Sequence, residues 1–262
     1  LGRLANNLFW MSRYLERAEN NARLLETYLR RGLSEKYIEV DDWLAILAIT
    51  GQSASYKEKI GEHNQTAIIN FILREKDDPA SVLNLVKYAR QNARIVRTAL
   101  TRETWQAIND FWLYLQKNLN RPAARNDLPI ILAKVREGSS LVRGAIDGTM
   151  LRNDIYHFIR LGVFIERSDN TARHLSSRYN LFIPSENESV EGYPMLRFEM
   201  ILDAVGVMRA YKWVNKGQIE PDRVIKFLLN DPTMPRSLIF CYHDIVRQLT
   251  ALENEYGKTY EA

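Results

Sequence analysis

Two stretches of the sequence repeat one pattern: YLERAENNARLL at residues 14–25 and FIERSDNTARHL at residues 164–175. Glutamate, arginine, asparagine and arginine recur in both at the same spacing. Two further blocks follow in the same order. LAITGQSASYK (47–57) matches LDAVGVMRAYK (202–212), and FILREKDDPAS (71–81) matches FLLNDPTMPRS (227–237). Three ordered matches predict an internal duplication, with two halves related by pseudo-two-fold symmetry around a shared interface.

The first stretch belongs to a long amphipathic pattern. Between residues 7 and 31, apolar side chains recur at helical spacing, and neither glycine nor proline interrupts them. Sustained alternation of the kind that marks strands is nearly absent. The sequence therefore predicts an all-α helical bundle. Further helices are predicted over 41–60, 80–100, 154–178, 195–215 and 235–255.

The boundary between the two halves is predicted from glycine content. EGSSLVRGAIDGT, residues 137–149, follows a predicted helix over 129–137, and we interpret it as a linker. The prediction is a first half over 1–126, a connecting helix and linker over 127–150, and a second half over 151–262. Both halves are expected to pack as one compact domain.

Composition restricts the possible partners and compartment. Lysine and arginine number 36 against 32 aspartate and glutamate, with the signs interspersed, which argues against a nucleic-acid partner. Cys241 is the single cysteine, so an internal disulfide is impossible, as is usual in a reducing compartment. No apolar run approaches the ~18 residues of a membrane helix. The sequence predicts a cytoplasmic protein with no membrane partner.

Neither a metal nor another cofactor is indicated by the sequence. The histidines show no E-x-x-H or H-x-x-x-H spacing, which argues against zinc and di-iron sites. GSSLVRGAIDG, residues 138–148, lacks the G-K-[ST] ending of a phosphate-binding loop.

The polar residues of the repeated motif leave three interpretations open. They could form a solvated face. They could form a buried ion-pair network in which Glu16 reaches Arg167 and Glu166 reaches Arg17. They could also form a site in which the two glutamates act as acid and base and the arginines bind carboxylate or phosphate. The candidate catalytic residues are Glu16 and Glu166; the candidates for ligand binding or for a network between the halves are Arg17, Asn20, Arg23, Arg167, Asp169, Asn170 and Arg173.

The doubled motif, together with TMLR (149–152), ARQNARIVR (89–97) and ETWQAIN (103–109), resembles the alpha-E family. This is a bacterial all-helical family named for its repeated Glu-Arg motif, and the resemblance spans nearly the whole chain. One departure is Val163, where the pattern usually has an arginine, so a contact of the kind made by Arg13 is not expected in both halves.

The resemblance implies association with circularly permuted ATP-grasp ligases and transglutaminase-like proteins, and a role in forming or breaking peptide or amide bonds. Two functions remain open at this point. The chain could be a non-catalytic partner that docks the ligase or holds its peptide or amino-acid ligand. Alternatively, it could be an enzyme of amide chemistry that uses the paired Glu-Arg motifs.

Overall fold

In the computed structural model, residues 2–34, 40–61, 64–179 and 193–257 are described, and this part of the chain contains twelve α-helices and no strand. The predicted all-α class is therefore confirmed. A short 3₁₀ turn covers Arg97–Ala99. The helices are α1 Gly2–Ser34, α2 Val40–Thr50, α3 Ser53–Lys59, α4 Gln65–Arg74, α5 Val82–Ile95, α6 Arg102–Asn118, α7 Leu128–Thr149, α8 Asp154–Tyr179, α9 Tyr193–Val205, α10 Met208–Val214, α11 Pro221–Asn230 and α12 Leu238–Tyr256.

Helix α1 is the centre of the bundle. It packs against α5, α7, α8 and α9. Its apolar stripe, which includes Leu8, Met11 and Leu25, is fully buried. Its opposite, polar strip is buried as well, so α1 is covered on both faces. A helix in this position forces its charged residues to find partners inside the protein.

Two predicted helices are interrupted by glycine. The segment 41–60 was predicted as one helix, but α2 ends at Thr50 because Gly51 adopts φ +75°. The amide of Gln52 then donates to the carbonyl of Leu47 at 2.7 Å, a reversal that closes the helix end. The segment 195–215 was also predicted as one helix, and it is interrupted in the same way at Gly206, where φ is +80°. Both positions require glycine because other side chains rarely adopt this backbone conformation.

The predicted linker over 137–149 is wrong. These residues continue α7, which runs unbroken from Leu128 to Thr149. Apolar side chains spaced for a helix, including Leu132, Val135 and Val142, are buried against neighbouring helices. Burial of this face outweighs the weak helix propensity of three glycines. The predicted domain boundaries stay a prediction, but the residues interpreted as a linker are helical.

Buried apolar side chains in the described part of the chain form two clusters. The larger surrounds α1 and extends through α2, α4, α5, α6 and α7. The smaller lies among α9, α10 and α11, around Phe198 and Tyr211. Among the described helices, none combines the length and the apolar character required to cross a membrane.

Candidate functional site

The two copies of the repeated motif face each other where α1 contacts α8. The backbones approach closely at Gly162: a Cβ there would lie 2.1 Å from the Oγ of Ser12 and 2.4 Å from the carbonyl oxygen of Phe9. Only glycine permits this approach. As a consequence, charged side chains one turn away reach directly from one helix to the other.

Glu166 on α8 binds two arginines of α1. Its carboxylate accepts from the Nε and Nη2 of Arg17 at 2.6 and 2.9 Å, and from the Nε of Arg13 at 2.7 Å. The glutamate is 2% exposed, whereas both arginines keep some contact with solvent. The paired donors of Arg17 hold the carboxylate in the fork geometry that makes such contacts strong.

Glu16 on α1 forms the converse contact. Its two oxygens accept from the Nε and Nη2 of Arg167 at 2.9 and 3.2 Å. A guanidinium nitrogen of Arg143 lies 3.4 Å from one carboxylate oxygen, and one of Arg236 lies 3.4 Å from the other. Glu16 is 1% exposed, so the solvated-face interpretation of the motif is wrong.

Glu19 extends the network on the far side of Glu16. It is fully buried and accepts from Arg23 at 2.8 Å, from Arg236 at 3.2 Å and from Arg143. Arg143 comes from α7, which is tied to α1 by a hydrogen bond from the Oγ of Ser139 to a backbone carbonyl. Three guanidinium groups thus converge on one carboxylate.

Arg236 reaches the network from the turn that precedes α12. The Oγ of Ser237 caps that helix by accepting from the amide of Phe240 at 3.1 Å. The carbonyl of Arg236 accepts from the hydroxyl of Thr171 at 2.9 Å. These two contacts fix the backbone on either side of the arginine and direct its side chain towards α1.

The remaining predicted residues lie at the edges of the network. The Oδ1 of Asn20 accepts from the Nη1 of Arg236 at 3.0 Å. Asp169 pairs with Arg173 at 2.8 Å, and both side chains are partly exposed. Asn170 is buried on α8. All nine predicted residues therefore belong to this region, and the exposed pair of Asp169 and Arg173 is the most peripheral.

Sequence reasoning missed four members of the network as site residues: Arg13, Glu19, Arg143 and Arg236. Glu19 was noted only as a helical neighbour of Arg23, and Arg143 lay in the stretch interpreted as a linker. One feature of the sequence could have pointed to Arg236. In the matching block of the first half, the corresponding residue is Ala80, so the second copy has a charged side chain where the first has a small apolar one.

Electrostatics keeps Glu16 and Arg167 ionised. Burial by itself would raise the pKa of Glu16, but Arg167 and Arg236 outweigh it and hold that pKa well below its usual range. Burial by itself would lower the pKa of Arg167, yet the Glu16 carboxylate raises it above its ordinary value. The pKa of Arg236 is lowered to about 10, first by burial and then by the nearby charge of Arg167.

Acid is therefore expected to destabilise the protein through Glu16. Because its pKa is lower when folded than the value of 4.5 it starts from, the unfolded chain takes up the proton first. Its contribution is complete above pH 4.5 and is lost progressively as the pH falls below it. Urea unfolding at pH 7, 5, 4 and 3 measures this. The free energy of unfolding should fall less steeply below pH 5 in a Glu16→Gln variant, and equal slopes would contradict the assignment.

The chemistry available to this cluster is limited. A general acid at neutral pH requires a carboxyl group with a raised pKa, and that of Glu16 is lowered. Burial raises the pKa of Cys241 to about 11, which keeps this thiol protonated and unreactive. Among the described residues, no group of three or more histidine, cysteine, aspartate or glutamate side chains could hold a metal ion.

Comparison with known proteins extends over the whole chain. The Alpha-E family model, described as a predicted alpha-helical domain with a conserved ER motif, matches residues 1–262. Uncharacterized proteins of Mycobacterium bovis and Mycobacterium tuberculosis are each 23% identical to this chain over 276 residues. These matches cover 98% of the chain but 30% of each relative, so the chain spans less than a third of their length. No solved structure matches the chain significantly.

Proposed function

Because the chain belongs to the Alpha-E family, whose ER motifs here bind each other, we propose that it is a non-catalytic helical partner in a cytoplasmic, bacterial system that forms peptide or amide bonds. It would dock an ATP-grasp-type ligase, or hold the peptide substrate of that ligase, with a transglutaminase-like protein as a further partner. The observation that carries the proposal is the reciprocal pairing of Glu16 with Arg167 and of Glu166 with Arg17.

This pairing favours a structural role for the motif over a catalytic one. The carboxylates of Glu16 and Glu166 are almost fully buried and already bound by guanidinium groups. A substrate would have to displace these ion pairs before either glutamate could act as acid or base. In a docking protein, by contrast, the same network holds α1 and α8 in a fixed relation and leaves the outer helices free to bind a partner.

The proposal includes an internal duplication with pseudo-two-fold symmetry. Ser12 and Gly162, each two residues before its copy of the matched stretch, touch each other, as residues beside a two-fold axis would. The glycines that end α2 and α9 also contact the motif reciprocally, since Gly51 lies by Arg173 and Gly206 by Arg23.

Aromatic contacts at matching positions support the same relation. Tyr56 and Phe71 meet edge to face at 5.1 Å and 89°, and Tyr211 and Phe227 do so at 5.4 Å and 81°. Ser81 and Ser237, which also match, cap α5 and α12 with their hydroxyl groups. Similar local contacts at corresponding positions are what two copies of one folded unit would produce.

The test is a native pull-down followed by reconstitution. The full natural polypeptide is tagged, captured from its own cells and analysed by mass spectrometry, and an ATP-grasp ligase or a transglutaminase-like protein should be recovered. The purified components are then combined with ATP and amino acids. Product should require the ligase and increase when the helical protein is added. Turnover by the helical protein alone, or failure to recover either partner, would contradict the proposal.

A further inference from the structure

The buried network carries more positive than negative charge. In the described part of the chain, three buried carboxylates, those of Glu16, Glu19 and Glu166, face six arginines that contact them. Removing unneutralised charge from water costs several kcal/mol per ion, so an excess is most unfavourable beside the two buried arginines, Arg167 and Arg236. The six arginines are Arg13, Arg17, Arg23, Arg143, Arg167 and Arg236.

Most of the excess is concentrated at one end of the network. Four of the arginines share only two carboxylates, those of Glu16 and Glu19. The lowered pKa of Arg236 agrees with this, because burial and neighbouring cations both oppose its charge. At the opposite end, Glu166 is shared by only two arginines, Arg13 and Arg17.

An unpartnered donor lies at the same end. The Nδ2 of Asn20 is buried and has no acceptor among the described residues. The orientation of this amide is fixed, since its Oδ1 accepts from Arg236 and an exchange of the two atoms would place donor against donor. A buried N–H group without an acceptor costs about 1–3 kcal/mol, and that cost is removed when an acceptor binds.

Two of the arginines at this end of the network keep contact with solvent. The side chains of Arg23 and Arg143 are 23% and 25% exposed, whereas that of the Glu19 they share is fully buried. Arg23 lies against Gly206, where a Cβ would be only 3.0 Å from its Nη1. The glycine therefore leaves the room that the guanidinium occupies beside the turn after α9.

We propose that Asn20, Arg23, Arg143 and Arg236 form a binding site for an oxyanion, the carboxylate or phosphate group of a small ligand. The bound group would accept from the Asn20 amide and from the guanidinium edges, which are charge-assisted hydrogen bonds. It would also neutralise part of the buried excess charge. This inference goes beyond the proposed docking function and does not depend on it.

The experiment measures binding of simple anions to the folded protein. Inorganic phosphate and acetate are titrated separately by calorimetry and by thermal melting, against sodium chloride at matched ionic strength, because salt alone screens surface charge. One of the two anions should raise the melting temperature saturably, with one site per chain. The anion that does so distinguishes phosphate from carboxylate ligands. If neither exceeds chloride, the proposal is overturned.

Asn20→Asp is the decisive variant, because it replaces the amide donor with an acceptor and puts a negative charge beside the position of the bound anion. It should melt at a higher temperature than the parent protein in anion-free buffer and bind the anion at least about tenfold more weakly. Asn109→Asp is the matched control: the Oδ1 of Asn109 also accepts from an arginine, Arg90, but lies outside the network. It should bind the anion like the parent protein.

A second variant keeps the proposal testable if Asn20→Asp misfolds. Arg143→Gln changes a partly exposed side chain and leaves Arg23 and Arg236 to neutralise Glu19. With its helical circular dichroism spectrum unchanged, this variant should lose about tenfold in anion affinity. Unchanged affinity in both folded variants would overturn the assignment of the site.

Discussion

Replacing Glu16 by glutamine should lower the free energy of unfolding by about 3–5 kcal/mol, the range found when one partner of a buried ion pair is removed. The substitution preserves the shape of the side chain but removes the charge that compensates Arg167 and Arg236. Both arginines are at least 90% buried and cannot turn to solvent without opening the contact between α1 and α8. Urea unfolding at pH 7, followed by far-UV circular dichroism, measures the loss.

Two further variants separate burial from charge. Glu137→Gln removes the partner of Lys134 in an exposed pair on α7 and should change stability by less than about 1 kcal/mol. The loss of stability in Glu166→Gln should lie between those of Glu16→Gln and Glu137→Gln, because Arg13 and Arg17 keep access to water when their partner is lost. A loss below about 1 kcal/mol for Glu16→Gln would show that the network does not stabilise the fold.

The helices that carry the motif could be predicted because their signal is local. Apolar residues that recur at helical spacing over more than six turns leave no competing structure for residues 7–31, and the same holds for 154–178. The helix ends at Gly51 and Gly206 were harder to predict. A single glycine inside a periodic pattern can continue a helix or end it, and the outcome depends on tertiary packing.

Helix α7 illustrates the opposite error. Gly138, Gly144 and Gly148 lowered its helix propensity enough for the segment to be interpreted as a linker. Its apolar residues nevertheless recur at helical spacing from Leu128 to Ile146, and their burial against α1 and α6 decides the conformation. Tertiary packing outweighs intrinsic propensity in cases of this kind.

The network itself could be predicted only in part. The pairing of Glu16 with Arg167 and of Glu166 with Arg17 followed as one of three alternatives, because adjacent residues on a helix point about 100° apart and require different neighbours. Arg143 and Arg236 could not be placed, since each belongs to an element whose position relative to α1 depends on the whole fold. The proposed anion site therefore rests on two residues that only the three-dimensional arrangement assigns.

A Gly162→Ala substitution should destabilise the protein by about 3 kcal/mol or more, at the upper end of the range for overpacked cores. The added Cβ would lie 2.1 Å from the Oγ of Ser12, a side chain that can rotate, but also 2.4 Å from the backbone oxygen of Phe9. That second contact is relieved only if α1 and α8 move apart. Because the ion pairs of Glu16 and Glu166 connect the same two helices, separation would lengthen them as well.

Gly144→Ala is the matched control, since it makes the same change in another helix. No described side chain or neighbouring backbone lies within 4 Å of a Cβ at Gly144, so alanine should fit and stabilise α7 by about 0.5–1 kcal/mol through its better helix propensity. Opposite signs for the two variants, measured by urea unfolding under identical conditions, would separate close packing from propensity. If Gly162→Ala also stabilised the protein, the close approach of α1 and α8 would be wrong, and the pairing of the two Glu-Arg motifs that depends on it would have to be abandoned.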